Sequence, residues 1–185
     1  MSENKKKLLI ITGVAGMVGS TLLPKMLSKK NSIVVGIDNF RLGKHKFKKK
    51  FLNKKNFFFL KADLSKKINN SKFKKILKSS RLEEVWLLAA NSDILAGVND
   101  PEVDYRDTFL TTFNFINLLK PFLNNNTKLI FTSSSAIYGN IGSVIHEKSS
   151  PLMPESNYGA MKLAMEGYIS AYSFSNKVKS FIFRL

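Results

Sequence analysis

The chain has 185 residues, of which 44% are hydrophobic, and a net charge of +17 from 30 lysine and arginine residues against 13 aspartate and glutamate residues. This length and apolar content are sufficient for one domain with a buried core and exclude an intrinsically disordered chain. The absence of cysteine excludes disulfides and thiolate metal sites and suits a cytoplasmic location, while His45 and His146 lie too far apart in sequence to indicate a metal site.

The first predicted elements are a strand at residues 7–12 (KLLIIT) and an amphipathic helix at 17–29. Two interpretations of this start are open, because lysines before an apolar run resemble a secretory leader, whereas glycines between a strand and a helix resemble a nucleotide-binding turn. The leader is disfavoured because glycines interrupt its apolar region and a helical pattern stands where cleavage would occur. No apolar run reaches the roughly 18 residues of a membrane span, so we expect no membrane partner.

Three glycines between this strand and this helix predict a cradle for a pyrophosphate. Gly13 permits a tight turn, Gly16 lets the backbone approach the phosphates, and Gly19 allows the helix to pack closely on the sheet. Met17 and Val18 then begin the helix, whose free N–H groups and positive dipole end would face the phosphates.

A second predicted strand, at 32–38, ends at Asp38, 19 residues after Gly19. A carboxylate at this point can accept hydrogen bonds from both adenosine ribose hydroxyls of NAD and would repel the 2′-phosphate of NADP. The alternative is that Asp38 and Asn39 only cap a turn. Arg41, which follows closely, keeps NADP open as a second possible cofactor.

A basic connector at residues 39–55 comes next and contains the densest run of lysines, at 44–50. The net charge can indicate a nucleic acid or an anionic membrane, or it can reflect a lysine-rich composition. A nucleic-acid surface needs clustered bases with interleaved aromatic residues, and only residues 44–51 approach that pattern. We favour the compositional interpretation and expect no nucleic-acid partner.

The middle of the chain is predicted to contain two strands, at 57–61 and 84–89, with a helix at 65–79 between them. Asp63 and Leu64 follow the earlier strand, at a point where an adenine amino group could be bound. For Asp63 a turn cap is the alternative. A long helix at 102–123 is predicted after the second of these strands.

The chemically active residues are predicted after a fifth strand at 128–133. A serine run leaves the carboxyl end of that strand, where parallel sheets bind their ligands. A helix at 155–176 then carries Tyr158 and Lys162, whose i, i+4 spacing places both side chains on one face. A nearby ammonium is expected to lower the pKa of the phenol, so that the tyrosine can act as a base near neutrality.

Alternating strands and helices, completed by a sixth strand at 179–185, predict a doubly wound α/β domain. We expect about six parallel strands with helices on both faces, and a long glycine- and proline-containing loop at 139–157. Since the chain ends within the sixth strand, we interpret residues 1–185 as one NAD-binding domain at the start of a longer protein.

Several motifs occur in one order along the chain: T-G-x-x-G-x-x-G from residue 12, Asp38, D-L at 63–64, L-A-A at 88–90, S-S-S-A-I-Y-G at 133–139 and Y-x-x-x-K at 158–162. Their order and spacing resemble those of the extended short-chain dehydrogenase/reductases, which include the NAD-dependent nucleotide-sugar epimerases and dehydratases. The resemblance covers essentially the whole chain and implies a Rossmann fold that binds NAD.

The resemblance also implies roles for individual residues. Ser134, Tyr158 and Lys162 would form the catalytic trio, and Lys162 would also hold the nicotinamide ribose. Two positions depart from the family pattern, because Leu87 stands where a histidine is frequent and Thr108 where an asparagine is usual. The implied cofactor-binding set is Gly13, Gly16, Met17, Val18, Asp38, Asn39, Asp63, Leu64, Leu88, Ala89, Ala90, Tyr158 and Lys162, with no metal ligand.

The reaction class is inferred from the catalytic turn. The family's 4,6-dehydratases carry Thr-Asp-Glu there, and the two carboxylates transfer protons during loss of water, whereas this chain has Ser134, Ser135 and Ala136. The turn resembles that of the UDP-glucose 4-epimerases, which implies epimerisation through a transient keto-sugar and enzyme-bound NADH. The alternatives are an NAD(P)-dependent reductase or dehydrogenase, a dehydratase, and a dinucleotide-binding protein without catalysis.

The same resemblance implies a nucleotide-sugar substrate and a homodimer that packs through the helices at 102–123 and 155–176. It also implies a C-terminal substrate-binding portion beyond residue 185. Since that portion shapes the sugar pocket, we expect the 185-residue chain to bind NAD but to turn over little or no sugar.

Overall fold

Six segments of the chain form one parallel sheet. A computed structural model describes residues 5–42, 49–142 and 144–185. Neighbouring strands follow the order β3-β2-β1-β4-β5-β6, and every pairing is parallel. The predicted doubly wound α/β fold is therefore confirmed, and the strand order reverses between β1 and β4, where such sheets bind ligands. The strands are β1 Lys7–Thr12, β2 Ser32–Asp38, β3 Phe57–Lys61, β4 Arg81–Leu87, β5 Lys128–Ser133 and β6 Lys179–Arg184.

The helices connect the strands on both faces of the sheet. They are α1 Met17–Leu27, α2 Ser71–Ser79, α3 Ile94–Asn99, α4 Pro101–Asp104, α5 Thr111–Leu119 and α6 Asn157–Asn176. A π-helical turn, Tyr105–Leu110, joins α4 to α5, and 3-10 turns occupy Lys49–Asn53, Lys120–Phe122 and Ser135–Ile137.

The hydrophobic core lies on both faces of β1, whose residues alternate between two clusters. Leu8 and Ile10 belong to the larger cluster, together with buried residues of α2, α5 and α6. Leu9 and Ile11 belong to the smaller cluster, together with Leu23 of α1. All four β1 side chains are fully buried, which explains the continuous apolar run that predicted a central parallel strand.

The predicted boundaries of β4 are wrong, because this strand occupies Arg81–Leu87 rather than 84–89. Its first half carries charged residues that conceal the strand pattern. Glu84 accepts hydrogen bonds from the Lys29 ammonium at 2.7 Å and from the Trp86 indole at 3.0 Å, so its charge is accommodated within the sheet. The sequence indicates neither contact, because Lys29 is distant along the chain and alternation alone does not predict the bond to Trp86.

Two predicted helices also differ from the observed ones, one in where it begins and the other in being divided. The helix predicted at 65–79 begins only at Ser71, where Asn70 caps it by accepting a hydrogen bond from the Phe73 N–H at 2.8 Å. The helix predicted at 102–123 is divided into α4, the π-helical turn, α5 and a 3-10 turn. Helix α3, capped by Asp93, was not predicted at all.

The basic segment considered as a nucleic-acid surface, at residues 44–51, lies largely outside the described residues. Residues 43–48, which include His45 and most of the lysine run, lie outside the described residues. Phe51, at the end of the proposed basic and aromatic segment, is 8% exposed and packs in the smaller core cluster. None of the helices in the described part of the chain combines the length and the apolar character that a membrane crossing requires.

Candidate functional site

The glycine-rich turn brings the start of α1 against the end of β1 and β4. Gly13 has φ +65°, a conformation that side chains disfavour, and a Cβ there would lie 2.9 Å from the Ala89 nitrogen. A Cβ at Gly19 would overlap the carbonyl oxygen of Gly13. Both positions therefore require glycine for the backbone to pack this closely.

The N-terminus of α1 is open toward the same turn. Gly16 is the N-cap residue, makes no side-chain capping bond, and no acidic residue lies in the first helical turn. The N–H groups of Met17 and Val18 have no partner within the helix, and the helix dipole adds partial positive charge. These features fit a phosphate group, for which a backbone cradle at a helix N-terminus is a general site.

Asp38 connects the glycine turn to the loop after β2. One carboxylate oxygen accepts a hydrogen bond from the Ala15 N–H at 2.9 Å, and the other accepts from the Phe40 N–H at 2.7 Å. Asp38 thus does act as a turn cap, but each carboxylate oxygen can accept a second hydrogen bond. Asp38 can therefore accept hydrogen bonds from ribose hydroxyls in addition to these two.

A cleft of about 510 Å³ runs along the carboxyl edge of the sheet. It is lined by the glycine turn, the ends of β2, β4 and β5, and the start of α6. All the residues predicted for the site line it except Asp63, namely Gly13, Gly16, Met17, Val18, Asp38, Asn39, Leu64, Leu88, Ala89, Ala90, Ser134, Tyr158 and Lys162.

Asp63 is engaged in a local turn. Its Oδ1 accepts hydrogen bonds from the Ser65 N–H at 3.0 Å and from the Ser65 hydroxyl at 2.7 Å. This is the turn-cap alternative considered for the residue. An adenine contact by Asp63 stays a prediction, whereas its neighbour Leu64 does line the cleft.

Thr12, at the end of β1, is a supporting residue that the motif alone did not reveal. Its hydroxyl donates to the Trp86 carbonyl at 3.2 Å and accepts from the Leu88 and Ala89 N–H groups at 3.0 and 3.1 Å. One side chain therefore holds the end of β4 beside the glycine turn. A β-strand ending in threonine gives no sequence signal for this role, because the partners are more than 70 residues away.

The proposed catalytic residues meet between β5 and α6. Ser134 follows β5 and caps the 3-10 turn by accepting a hydrogen bond from the Ala136 N–H at 3.2 Å. Tyr158 lies in the first turn of α6, and Lys162 one turn later. The Lys162 ammonium lies 5.5 Å from the Tyr158 ring centroid and 4.7 Å from that of Phe131.

Burial governs the protonation of both residues. Lys162 is 2% exposed, and its burial lowers the pKa of the ammonium to about 8. Burial also raises the pKa of Tyr158, and the negative charge of Asp104 raises it further. The expectation that Lys162 lowers the pKa of Tyr158 is therefore wrong for this structure, because removal from water and the charge of Asp104 both disfavour the phenolate.

A buried polar cluster lies beside the cleft and was also missed from the sequence. Asp104 is 2% exposed and accepts a hydrogen bond from the Asn91 side chain at 2.8 Å. Thr108, which stands where the family usually has asparagine, accepts a hydrogen bond from the Asn91 N–H at 3.1 Å. Ser133 lines the cleft with its hydroxyl buried, and the described residues offer that hydroxyl no hydrogen-bond partner.

No group of three or more acidic or histidine side chains within the described ranges could hold a metal ion.

A parallel sheet of this order, with a glycine turn, an acidic residue after β2 and a Tyr–Lys pair at the carboxyl edge, defines a domain of the short-chain dehydrogenase/reductase type. The family model described as GDP-mannose 4,6 dehydratase matches residues 10–185. The chain belongs to the NAD-dependent epimerase/dehydratase family of extended short-chain dehydrogenase/reductases, as the motifs predicted.

Known relatives and solved structures agree with this assignment. The chain is 29% identical over 164 residues to a UDP-glucose 4-epimerase of Mycolicibacterium smegmatis, an alignment that covers 88% of this chain and 50% of the relative. The UDP-Glc/GlcNAc 4-epimerase of Campylobacter jejuni is 26% identical with a TM-score of 0.80, over 97% of this chain and 53% of that one. A Thermus thermophilus UDP-glucose 4-epimerase in complex with NAD is 27% identical with a TM-score of 0.76, over 96% and 54% of the two chains. The chain thus spans about half the length of the curated relatives it matches.

Proposed function

We propose that the protein is an NAD-dependent nucleotide-sugar 4-epimerase, in which residues 1–185 form the dinucleotide-binding domain. The observation that carries the proposal is the single cleft shared by the glycine turn, Asp38, Ser134, Tyr158 and Lys162. The relatives named above, which are UDP-sugar 4-epimerases by name, support the reaction class.

Residues of the cleft can be matched to the pyrophosphate and to the two riboses of NAD. The N–H groups around Gly16 and Met17 would hold the pyrophosphate, and the carboxylate of Asp38 would hold the adenosine ribose. The path between the pyrophosphate and the adenosine ribose would be lined by Leu64, Leu88, Ala89 and Ala90. Lys162 would hold the nicotinamide ribose. Bound NAD would supply the hydride transfer, and the protein would supply orientation and electrostatics.

Tyr158 is the proposed base. Its phenolate oxygen would take the proton from the sugar hydroxyl while bound NAD would accept the hydride from the same carbon, and Ser134 would orient the sugar oxygen. Burial raises the pKa of Tyr158 in this structure, and Lys162, which lies 5.5 Å from the ring centroid, does not offset that rise. Deprotonation would therefore need a cation nearer the phenol, and Lys162 is the side chain that we propose for that role. Return of the hydride to the other face of the keto-sugar, with the proton given back by Tyr158, would invert the carbon.

A dehydratase is the second candidate, and the family description itself names that activity. Elimination of water needs an acid and a base at the catalytic turn. Ser135 and Ala136 occupy that turn here and carry no carboxylate. We therefore favour the epimerase, with a net reductase or dehydrogenase as the further alternative that the same trio could serve.

The proposal extends to a cytoplasmic homodimer without nucleic-acid or membrane partners. The homodimer is supported by an aromatic ladder on the predicted dimer helices, in which consecutive ring centroids lie 5.0–6.2 Å apart. Tyr105 at one end is 47% exposed, as a ladder that continues across a twofold interface would require. The ladder comprises Tyr105, Phe109, Phe113, Tyr168 and Tyr172.

Two measurements test the proposal. Calorimetry with NAD should give saturable binding to the 185-residue chain, weakened in Asp38→Ala and retained in Asp100→Ala, a matched control that removes a helix-capping aspartate away from the cleft. Turnover by the longer protein across nucleotide sugars, followed by NMR, should then give inverted sugar without accumulation of NADH. Stoichiometric NADH would indicate a dehydrogenase, loss of water a dehydratase, and the absence of NAD binding would remove the basis of the proposal.

A further inference from the structure

Arg41 and Asp107 form an ion pair between two separate walls of the cleft. Arg41 lies in the loop after β2, and Asp107 lies in the π-helical turn between α4 and α5. The Arg41 guanidinium donates to Oδ2 of Asp107, and both residues line the cleft. Asp107 is also bound by Arg106, which donates from Nε to Oδ1 at 2.9 Å.

This pair lies at the end of the cleft assigned to the adenosine ribose. Arg41 is three residues beyond Asp38, and its backbone N–H donates to the Asn39 side chain at 2.9 Å, which fixes the loop there. An arginine in this loop is the group that accommodates a 2′-phosphate in dinucleotide sites. In this structure one nitrogen of its guanidinium, Nη1, donates to Asp107 instead.

We propose that Asp107 determines which dinucleotide the site accepts, by holding the Arg41 guanidinium away from a 2′-phosphate. The inference rests on the proposed dinucleotide function of the cleft. Asp107 acts in two ways, because it holds the Arg41 guanidinium through Nη1 and adds a negative charge near the expected position of that phosphate. Asp38 alone would repel the phosphate, but without Asp107 the Arg41 guanidinium would be free to bind that phosphate.

A purely structural role for the pair predicts a different result. If Asp107 only fastened the loop after β2 to the π-helical turn, its loss would weaken NAD and NADP alike and leave the ratio of their affinities unchanged. The specificity role predicts a change in that ratio, and it predicts that the change depends on Arg41.

The test compares four forms of the 185-residue chain: wild type, Asp107→Asn, Arg41→Gln and the double variant. Calorimetry gives the Kd of each for NAD and for NADP at fixed salt. We expect Asp107→Asn to shift the NADP-to-NAD ratio about five- to tenfold toward NADP, since exposed charge pairs are modest in energy. The double variant should return to the wild-type ratio, and Asp100→Asn, an acid outside the cleft, should not change it.

Each outcome decides the matter. The inference is overturned if the NADP-to-NAD ratio is unchanged in Asp107→Asn, or if its shift persists when Arg41 is removed. In either case, NAD binding by the wild type leaves the proposed function intact. A wild type that binds neither dinucleotide overturns both. Should Asp107→Asn unfold, Asp107→Ser removes the same charge with a smaller side chain and is subject to the same criteria.

Discussion

The ammonium of Lys162 donates a hydrogen bond to the backbone carbonyl of Thr132 at 2.7 Å. This contact joins the first half of α6 to the end of β5, so the same side chain that is proposed to act on the cofactor also fixes the helix on the sheet. With 2% of its surface exposed, Lys162 carries a charge that is costly to bury. The stability of the domain should therefore depend on the protonation of this residue.

We predict that wild-type stability increases with pH relative to Lys162→Met. The pKa of Lys162 is about 8 in the folded chain, whereas that of an exposed lysine is 10.5. Below pH 8 the lysine is protonated in both states and the full cost of burial is present. Between pH 8 and 10.5 the unfolded state binds more protons, so folding is favoured as pH rises, by about 3 kcal/mol in total.

Urea unfolding at several pH values from 7 to 10.5 measures this effect. The difference in unfolding free energy between the two proteins removes the contributions of other tyrosines and lysines, which both proteins share. At pH 7 the methionine variant should be the more stable of the two. Parallel pH profiles would mean that Lys162 does not titrate in this range.

A second prediction concerns two glycines with opposite surroundings. Gly19→Ala places a methyl group against the backbone carbonyl of Gly13, which cannot move without opening the turn, and should cost about 2–3 kcal/mol and weaken NAD binding. Gly167→Ala, in the middle of α6, meets no atom within 4 Å and should stabilise the chain by about 0.5–1 kcal/mol. Chemical denaturation measures both, and a similar cost for the two variants would contradict the close packing of the turn.

Several of the predicted site residues that line the cleft have a signal that is local in the sequence. Gly13, Gly16 and Asp38 belong to a strand–turn–helix–strand unit, where spacing along the chain determines proximity in space. Tyr158 and Lys162 share one helical face by their i, i+4 spacing. Residue type and spacing were sufficient here because no distant contact was needed.

The remaining features depend on contacts between distant segments. The Arg41–Asp107 pair joins residues 66 positions apart, and the Asn91–Asp104 contact requires the loop after β4 to fold against α4. The predicted direction of the Tyr158 pKa shift was wrong for a similar reason. A Tyr–Lys spacing indicates a neighbouring charge, but the burial that raises the pKa of Tyr158 is set by the packing of the whole cleft.

A third prediction tests Thr12. Thr12→Val keeps the shape of the side chain but leaves the Leu88 and Ala89 N–H groups without their acceptor, at a cost of about 1–3 kcal/mol. NAD should bind more weakly, because both residues line the cleft. Thr12→Ser retains the hydroxyl and should stay within about 1 kcal/mol of wild type. Equal losses in the two variants would indicate that the methyl group, and not the hydroxyl, supports this junction.

A fourth prediction compares two ion pairs of different burial. Arg184 at the end of β6 donates from Nε and Nη2 to the two carboxylate oxygens of Glu166 at 3.0 and 2.8 Å, and the side chains are only 22% and 9% exposed. The hydrogen bond to Glu166 raises the pKa of Arg184, so the cation is always charged and cannot avoid burial by losing its proton. Glu166→Gln leaves that cation without its counter-charge and should cost about 2–3 kcal/mol.

Glu83→Gln is the matched control for this fourth prediction. Glu83 pairs with Lys7 and Arg81, whose side chains are 44% and 47% exposed, so its loss should cost less than about 1 kcal/mol. Arg184 also donates to the Glu147 carbonyl and to the Tyr138 hydroxyl, which attaches the long loop before α6 to the edge of the sheet. Hydrogen exchange in residues 144–156 should therefore accelerate in Glu166→Gln and not in Glu83→Gln. If both variants lost similar stability with unchanged exchange, the Arg184–Glu166 pair would not be what holds the loop in place.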